Sequence, residues 1–120
     1  MTEYDINLDP KFDQLQHIDV AAEAAAVEPW FNQTLTAVNE SVVRLGVVEG
    51  EFHWHKHANE DEFFLVLEGE LEIEVEGHET IVLLPSQGVT IPKGVVHRPR
   101  AAKRTVMIMV EPGTIAPTGD

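Results

Sequence analysis

An all-β domain, rolled into a barrel or jelly roll behind a short N-terminal helical arm, is the architecture this sequence predicts. Three observations carry that reading. From about Gln33 the apolar residues recur with period two, and Gly-, Pro- and Asn-containing turn signals separate the runs at the spacing of short strands. The chain has 120 residues, 43% of them apolar, which is one domain with one core. It contains no cysteine, so neither disulfides nor thiolate metal sites hold it together.

The elements follow in order. Asp9 before Pro10 reads as an N-cap with proline at the first helical position, and Phe12, Leu15 and Gln16 continue at helical spacing, which predicts a short helix over 10–18. Residues 20–27 are alanine-rich, the best helix-forming composition, and Glu28-Pro29 ends them because the residue before proline avoids the helical region. Residues 1–32 therefore form the arm. In the barrel domain, 33–111, Leu35 and Ala37 alternate with Thr34 and Thr36, Asn39-Glu40-Ser41 makes a turn, and Val43, Leu45 and Val47 share a face. Apolar runs at 62–67, 79–84, 89–92 and 105–110 are separated by Gly69, Pro85-Ser86-Gln87-Gly88 and Pro92-Lys93-Gly94. The clearest strand sets Leu71, Ile73 and Val75 between Glu70, Glu72, Glu74 and Glu76, buried on one face and wet on the other, and Gly77 closes it. About eight strands result, enough to roll a sheet and protect its edges. Pro112, Gly113, Pro117 and Gly119 mark an irregular tail over 112–120.

Eight basic residues against 21 acidic ones leave a formal net charge of −13, a field that repels nucleic acid and anionic membrane surfaces. Wholly apolar runs are short, and Glu3 and Asp5 stand where a secretory leader carries lysines, so the expectation is a soluble cytoplasmic protein. The glutamates at 68, 70, 72, 74 and 76 find candidate partners in Lys93, Arg98, Arg100, Lys103 and Arg104, where five of the eight basic residues fall. Cross-strand pairing on a solvated face is the role expected of them.

Chemistry concentrates in the histidines. Alternate residues of a strand point the same way, so His55-Lys56-His57 projects two imidazoles to one side. A tight connection at 58–61 returns the chain and brings the Glu62 carboxylate beside them, and His97, after Pro92-Lys93-Gly94-Val95-Val96, is the candidate fourth donor. Three neutral imidazoles and one carboxylate suit one divalent first-row ion per chain: Mn, Fe, Co, Ni, Cu or Zn. His53 shares strand parity with His55 and His57. His17 is expected at the surface or in packing of the arm, and His78, beside Gly77, in an exposed hairpin turn.

The spacing His55-x-His57-x4-Glu62-x6-Gly69 resembles the first motif of the cupin family, and Pro92-x-Gly94-x2-His97 resembles the second. Together they frame 55–97, and the strand pattern from about 33 to 111 is similar to a cupin-type barrel. The nearest resemblance is to small single-domain bacterial cupins with a Trp54-His55-Lys56-His57, Asp61-Glu62 segment and a His97-Arg98-Pro99-Arg100-Ala101 segment, often described as mannose-6-phosphate isomerase-like. The resemblance implies that His55, His57, Glu62 and His97 are metal ligands and that the rest of the coordination sphere serves water or substrate. Pairing His53 with His55 instead would put Glu62 out of register, so His53 is assigned to the surroundings of the ligands or the pocket lining.

Two classes of function follow. One is a metal-dependent enzyme, isomerase-like or dioxygenase-like, acting on a small oxygen-rich molecule. The alternative is a non-catalytic ligand-binding or sensor cupin in which the ion is structural, including a dimer whose ion only stabilises the barrel. Strand parity nominates His53, Phe63 or Phe64, and Met107 or Met109 for a largely apolar pocket, and sends Arg98 and Arg100 to the opposite face. The apolar segments Val42-Val43 and Val106–Val110, with the arm, point to a homodimer.

Overall fold

A computed structural model describes residues 4–120. Strands β1 (Asp5–Asn7), β2 (Phe31–Val38), β3 (Ser41–Glu51), β4 (Glu62–Glu68), β5 (Leu71–Val75), β6 (Ile81–Leu83), β7 (Gly88–Ile91) and β8 (His97–Pro112) form one eight-stranded sheet, with a single helix, α1 (Val20–Ala25), among the described residues. Its main path runs β1-β2-β3-β8-β4-β7, while β5 pairs with β8 and β6. The described strands thus roll the sheet without closing it by hydrogen bonds, so jelly roll describes it better than closed barrel.

The sixteen-residue β8 organises the sheet. One edge pairs with β3 almost throughout, and the other pairs first with β5 through His97–Arg100 and then with β4 through Val106–Val110. Between those halves the register against β3 shifts, Val48 facing Thr105 and Gly50 facing Ala101. Such an insertion bends a strand and deepens its twist, which lets one strand serve both halves of the roll. The last predicted apolar run belongs to a longer strand than expected: 105–110 is the second half of the strand that begins at His97.

Alternation gives the rolled sheet two buried faces. Phe64, Val66, Leu71, Ile73, Met107 and Met109 point inward to the main core, while Leu45, Val47 and Val106 point outward and pack with Leu35 and Ala24. The arm covers that outer face through Phe12, Ile18, Val20 and Val27. Asp19 caps α1 by accepting from the Ala22 N–H at 3.0 Å, and Arg104 reaches from β8 to donate to the Ala24 carbonyl at 2.6 Å, satisfying a carbonyl at its end.

The arm departs from expectation in two places. No helix forms over 10–18; the Lys11 and Phe12 N–H groups donate instead to Thr34 and Leu35 carbonyls, at 3.0 and 2.9 Å. An isolated helix of two turns is marginal in water, whereas the edge of β2 offers carbonyls that need donors. For the same reason Asp5-Ile6-Asn7, too short and polar to read as a strand, pairs in parallel with Phe31–Gln33 as β1.

On the wet face three of the five expected cations, Arg98, Arg100 and Arg104, form ion pairs with the glutamates. Arg98 donates to Glu74 and Arg100 to Glu72, at 3.1 and 2.6 Å, with Glu51 and Glu74 nearby, and Arg104 lies 3.9 Å from Glu68. His78 is exposed in the turn after β5, and His17 is exposed in the arm.

Candidate metal centre and cavity

The four predicted donors come from three stretches of chain. His55 and His97 are joined as an isolated antiparallel bridge, each N–H donating to the other's carbonyl at 3.0 and 2.9 Å, so their rings lie side by side with centroids 4.5 Å apart. Residues 52–61 are otherwise loop, and their position is held from the second motif: the Gly94 N–H donates to the His57 carbonyl at 2.8 Å, and the Lys93 N–H to the Asp61 carboxylate at 2.9 Å. Gly94 has φ of +82°, a backbone state that β-carbons disfavour, which explains glycine in that turn. Glu62 opens β4 and points inward with Phe64 and Val66.

One donor atom from each of His55, His57, Glu62 and His97 lies within 4.8 Å of all the others. Glu62 Oε1 is 3.5 Å from His57 Nε2 and 3.4 Å from His97 Nε2. These separations are too long for good hydrogen bonds, and all three atoms are buried with no partner. They match the separation of about 3.3 Å that two donors take on one tetrahedral first-row ion with bonds of about 2.0–2.1 Å. Buried polar atoms are rarely left unsatisfied, so an orphaned set at this spacing fits an ion.

Ring orientation agrees with that use. His55 Nδ1 lies 3.0 Å from the His53 carbonyl and His97 Nδ1 lies 2.9 Å from the Val95 carbonyl. A carbonyl only accepts, so each Nδ1 carries the proton and each Nε2 presents its lone pair. Burial, with help from the neighbouring imidazoles and against the pull of the His53 carbonyl and Glu62, lowers the His55 pKa to about 4, so its ring is neutral at physiological pH. Burial resists ionisation of Glu62, but His57 and His97, when a proton rather than a metal sits on the Nε2 atoms facing it, outweigh burial and hold the carboxyl down at about 2.

A cavity opens beside the cluster, and His55 and Glu62 form part of its wall. Trp30, Phe52, Phe64, Met107 and Met109 supply its large apolar side chains, and Tyr4, Asp5 and Asn32 are polar members of the wall. Phe64 and both methionines match the expected lining. Of the two places expected of His53 it takes the one beside the ligands and not the cavity wall: its ring lies 5.3 Å from that of His55, is exposed, stacks on Phe52 at 4.3 Å, and bonds the Thr118 carbonyl at 2.5 Å. Its contribution to the cluster is its main-chain carbonyl, which orients His55. Phe63 is likewise absent from the wall, packing over the backbone of Gly88.

Sequence reasoning missed a buried polar row beneath the cavity. Arg44, 2% exposed, donates from Nε and Nη2 to Asn32 Oδ1 at 2.8 and 2.6 Å, and from Nη1 to Thr34 Oγ1 at 2.8 Å. Burial lowers its pKa, while Glu111 and Glu62 oppose that shift. Glu111 extends the β4–β8 register, in which Phe63 faces Val110, and so stands beside Glu62. Burial, and then the Glu62 charge, push the Glu111 carboxyl up to about 9 against the pull of Arg44. The signal was present: Glu111 shares parity with the inward Met107 and Met109.

The tail is the other omission. Pro117 joins the cavity wall, the Asp120 N–H donates to the Lys56 carbonyl at 3.0 Å, and the Asp120 carboxylate accepts from the Ala58 N–H. A β-carbon on Gly119 would stand 2.6 Å from His55 Cβ. The predicted irregular tail is therefore a strap across the ligand-bearing loop.

Fold and donor set together define a class: a small rolled-sheet protein with three imidazoles and one carboxylate gathered at one wall of an apolar cavity. Residues 41–113 match the cupin domain model, Cupin_2, and the chain belongs to the cupin family. It is 49% identical over 80 residues to the uncharacterized protein YdbB of Bacillus subtilis (strain 168), covering 67% of this chain and 71% of that one. A cupin-2 domain containing protein from Shewanella frigidimarina is similar in structure, with TM-score 0.75 and 34% identity over 79% of this chain and 93% of that one. Hydroquinone 1,2-dioxygenase from Sphingomonas sp. TTNP3 shares the fold at TM-score 0.75 and 16% identity, with 84% of this chain and 33% of that one covered.

Proposed function

We propose that this protein is a divalent-metal cupin that binds and transforms a small oxygen-bearing molecule, with His55, His57, Glu62 and His97 as the ligands of one first-row ion per chain. The observation that carries the reading is the orphaned donor set: buried His57 Nε2, His97 Nε2 and Glu62 Oε1 have no other partner and stand 3.4 and 3.5 Å apart across the cluster. A bound ion of this kind supplies Lewis acidity toward an oxygen donor or, if redox-active, a site for dioxygen. The chain's own residues do the rest. Main-chain carbonyls of His53 and Val95 hold two rings in the ligating tautomer, and the apolar wall keeps bulk water away from the open side.

Elemental analysis of protein purified without chelator tests the reading. About one equivalent of metal is expected in the wild type, falling well below stoichiometry in both His97→Ala and His55→Ala; full retention in both variants rejects the site. Isomerase-like and dioxygenase-like chemistry are then separated by dioxygen consumption with the loaded protein.

A binding-only cupin is the second reading. It is favoured by a cavity wall in which, outside the donor cluster, Asn32, Trp30, Phe52 and the two methionines are poor proton carriers, leaving Tyr4 and Asp5 as the candidates for proton transfer. Ligand bound without turnover over hours selects it.

A homodimer is proposed on the outer face, where Val38 is 57% and Val110 37% exposed beside Val43 in a shallow depression. Light scattering at twice the monomer mass supports it, and monomer mass at all concentrations rejects it.

A further inference from the structure

Resting on the metal-site reading above, the geometry points to a narrower ligand class: we infer that the cavity takes a flat, largely apolar molecule, an aromatic ring bearing oxygen on one edge, in preference to a polyol or sugar phosphate. The wall is the first argument. Trp30, Phe52 and Phe64 contribute ring surface, and the thioethers of Met107 and Met109 fill between them, a combination that packs against π-faces and ring edges. Trp30 and Phe52 lie 5.6 Å apart with planes inclined at 42°.

Polarity is the second argument. His55 and Glu62 bring the donor cluster to one part of the wall, the Tyr4 hydroxyl faces His53 Nδ1 at 3.4 Å and the Asp5 carboxylate accepts from the Asn7 amide at 3.0 Å, and the remaining polar contributor is Asn32. Its Oδ1 already accepts two bonds from Arg44, so its amide NH₂ is the group left to meet a ligand. A polyol needs a donor or acceptor for nearly every hydroxyl it buries, and outside the donor cluster this wall offers only the Asn32 amide and the partly engaged Tyr4 and Asp5 among the described residues.

Charge is the third. No Lys or Arg lines the cavity among the described residues. Arg44 is committed to Asn32 and Thr34, while Arg98 and Arg100 pair with glutamates on the wet face. Asp5 and Glu62 in the wall, and the net charge of −13, oppose a phosphate dianion.

Gly46 provides a handle that leaves every metal donor in place. A β-carbon there would lie 2.8 Å from Met107 Cε and 3.0 Å from Met109 Cε, so the added methyl displaces the thioether methyls and reshapes the cavity. Calorimetric titration of catechol and of mannose 6-phosphate into zinc-loaded and chelator-treated protein tests the inference. Catechol is expected to bind at least tenfold more tightly than mannose 6-phosphate in both forms, and Gly46→Ala to weaken catechol at least fivefold with zinc content unchanged. Equal or tighter binding of the sugar phosphate, or no measurable catechol binding in either form, overturns the proposal; the wild-type comparison decides this even if Gly46→Ala misfolds. Failure to take up zinc, with the catechol preference intact in metal-free protein, overturns the metal reading and leaves this one standing.

Discussion

His55 shows how little of the proposed metal site resides in the donor alone. Its ring is useful because the His53 carbonyl fixes the proton on Nδ1 and burial keeps it neutral, with a pKa of about 4 against an ordinary 6.5. The unfolded chain therefore takes up that proton first, and metal-free protein is expected to lose stability as pH falls from about 6.5 through 4. Glu62 acts in the same direction, from its ordinary 4.5 toward about 2. Urea midpoints of metal-free Glu111→Gln protein, which lacks the opposing titration of that carboxyl, check the sign across the window, and they should rise with pH. Glu111 acts oppositely. With its folded pKa raised to about 9, the unfolded chain releases the proton first, so its contribution falls as pH climbs from about 4.5 to 9. Glu111→Gln removes the effect, and metal-free variant and wild type should diverge by a few degrees in Tm by pH 9, the variant being more stable.

Among the elements, the second-motif turn and the tail position the site rather than furnish donors. Gly94 holds φ of +82° while its N–H supports the His57 carbonyl. Nothing stands within 4 Å of the β-carbon an alanine would add, so Gly94→Ala is a purely conformational change, expected to cost about 1–2 kcal/mol in denaturant unfolding. Gly119 is different because it also has no room: its backbone crosses His55 directly. Gly119→Ala should push the strap from the ligand loop and weaken zinc binding about tenfold, the scale of effect seen when supports of metal ligands are lost. Unchanged zinc affinity in a competition titration would show that the strap merely covers the site. The missed strand β1 and the absent helix over 10–18 teach the complementary lesson. Both are decided by hydrogen-bond demand along the edge of β2, which no local propensity encodes.

Across the whole molecule, the rolled sheet separates charge from chemistry. Its wet face carries the glutamate rows paired with Arg98 and Arg100, and its interior carries the donors and the cavity. Arg100→Ala is therefore expected to leave metal content and unfolding temperature nearly unchanged, and a large loss of metal would show that the two faces communicate. No described helix is long and apolar enough to cross a membrane. The radius of gyration of 13.4 Å is what a single folded domain of this length has, about 14 Å.

Period-two alternation and the two histidine motifs made the all-β class, the ion-paired face and the four donors legible before any coordinates, because strand parity and short-range spacing are properties of the chain itself. His53, Phe63, Arg44, Glu111 and the strap were decided only by folding. Their places depend on which strands become neighbours, where β8 bulges, and which edge needs a donor. Those are contacts between residues far apart in the chain, and their energies exist only once the sheet has rolled.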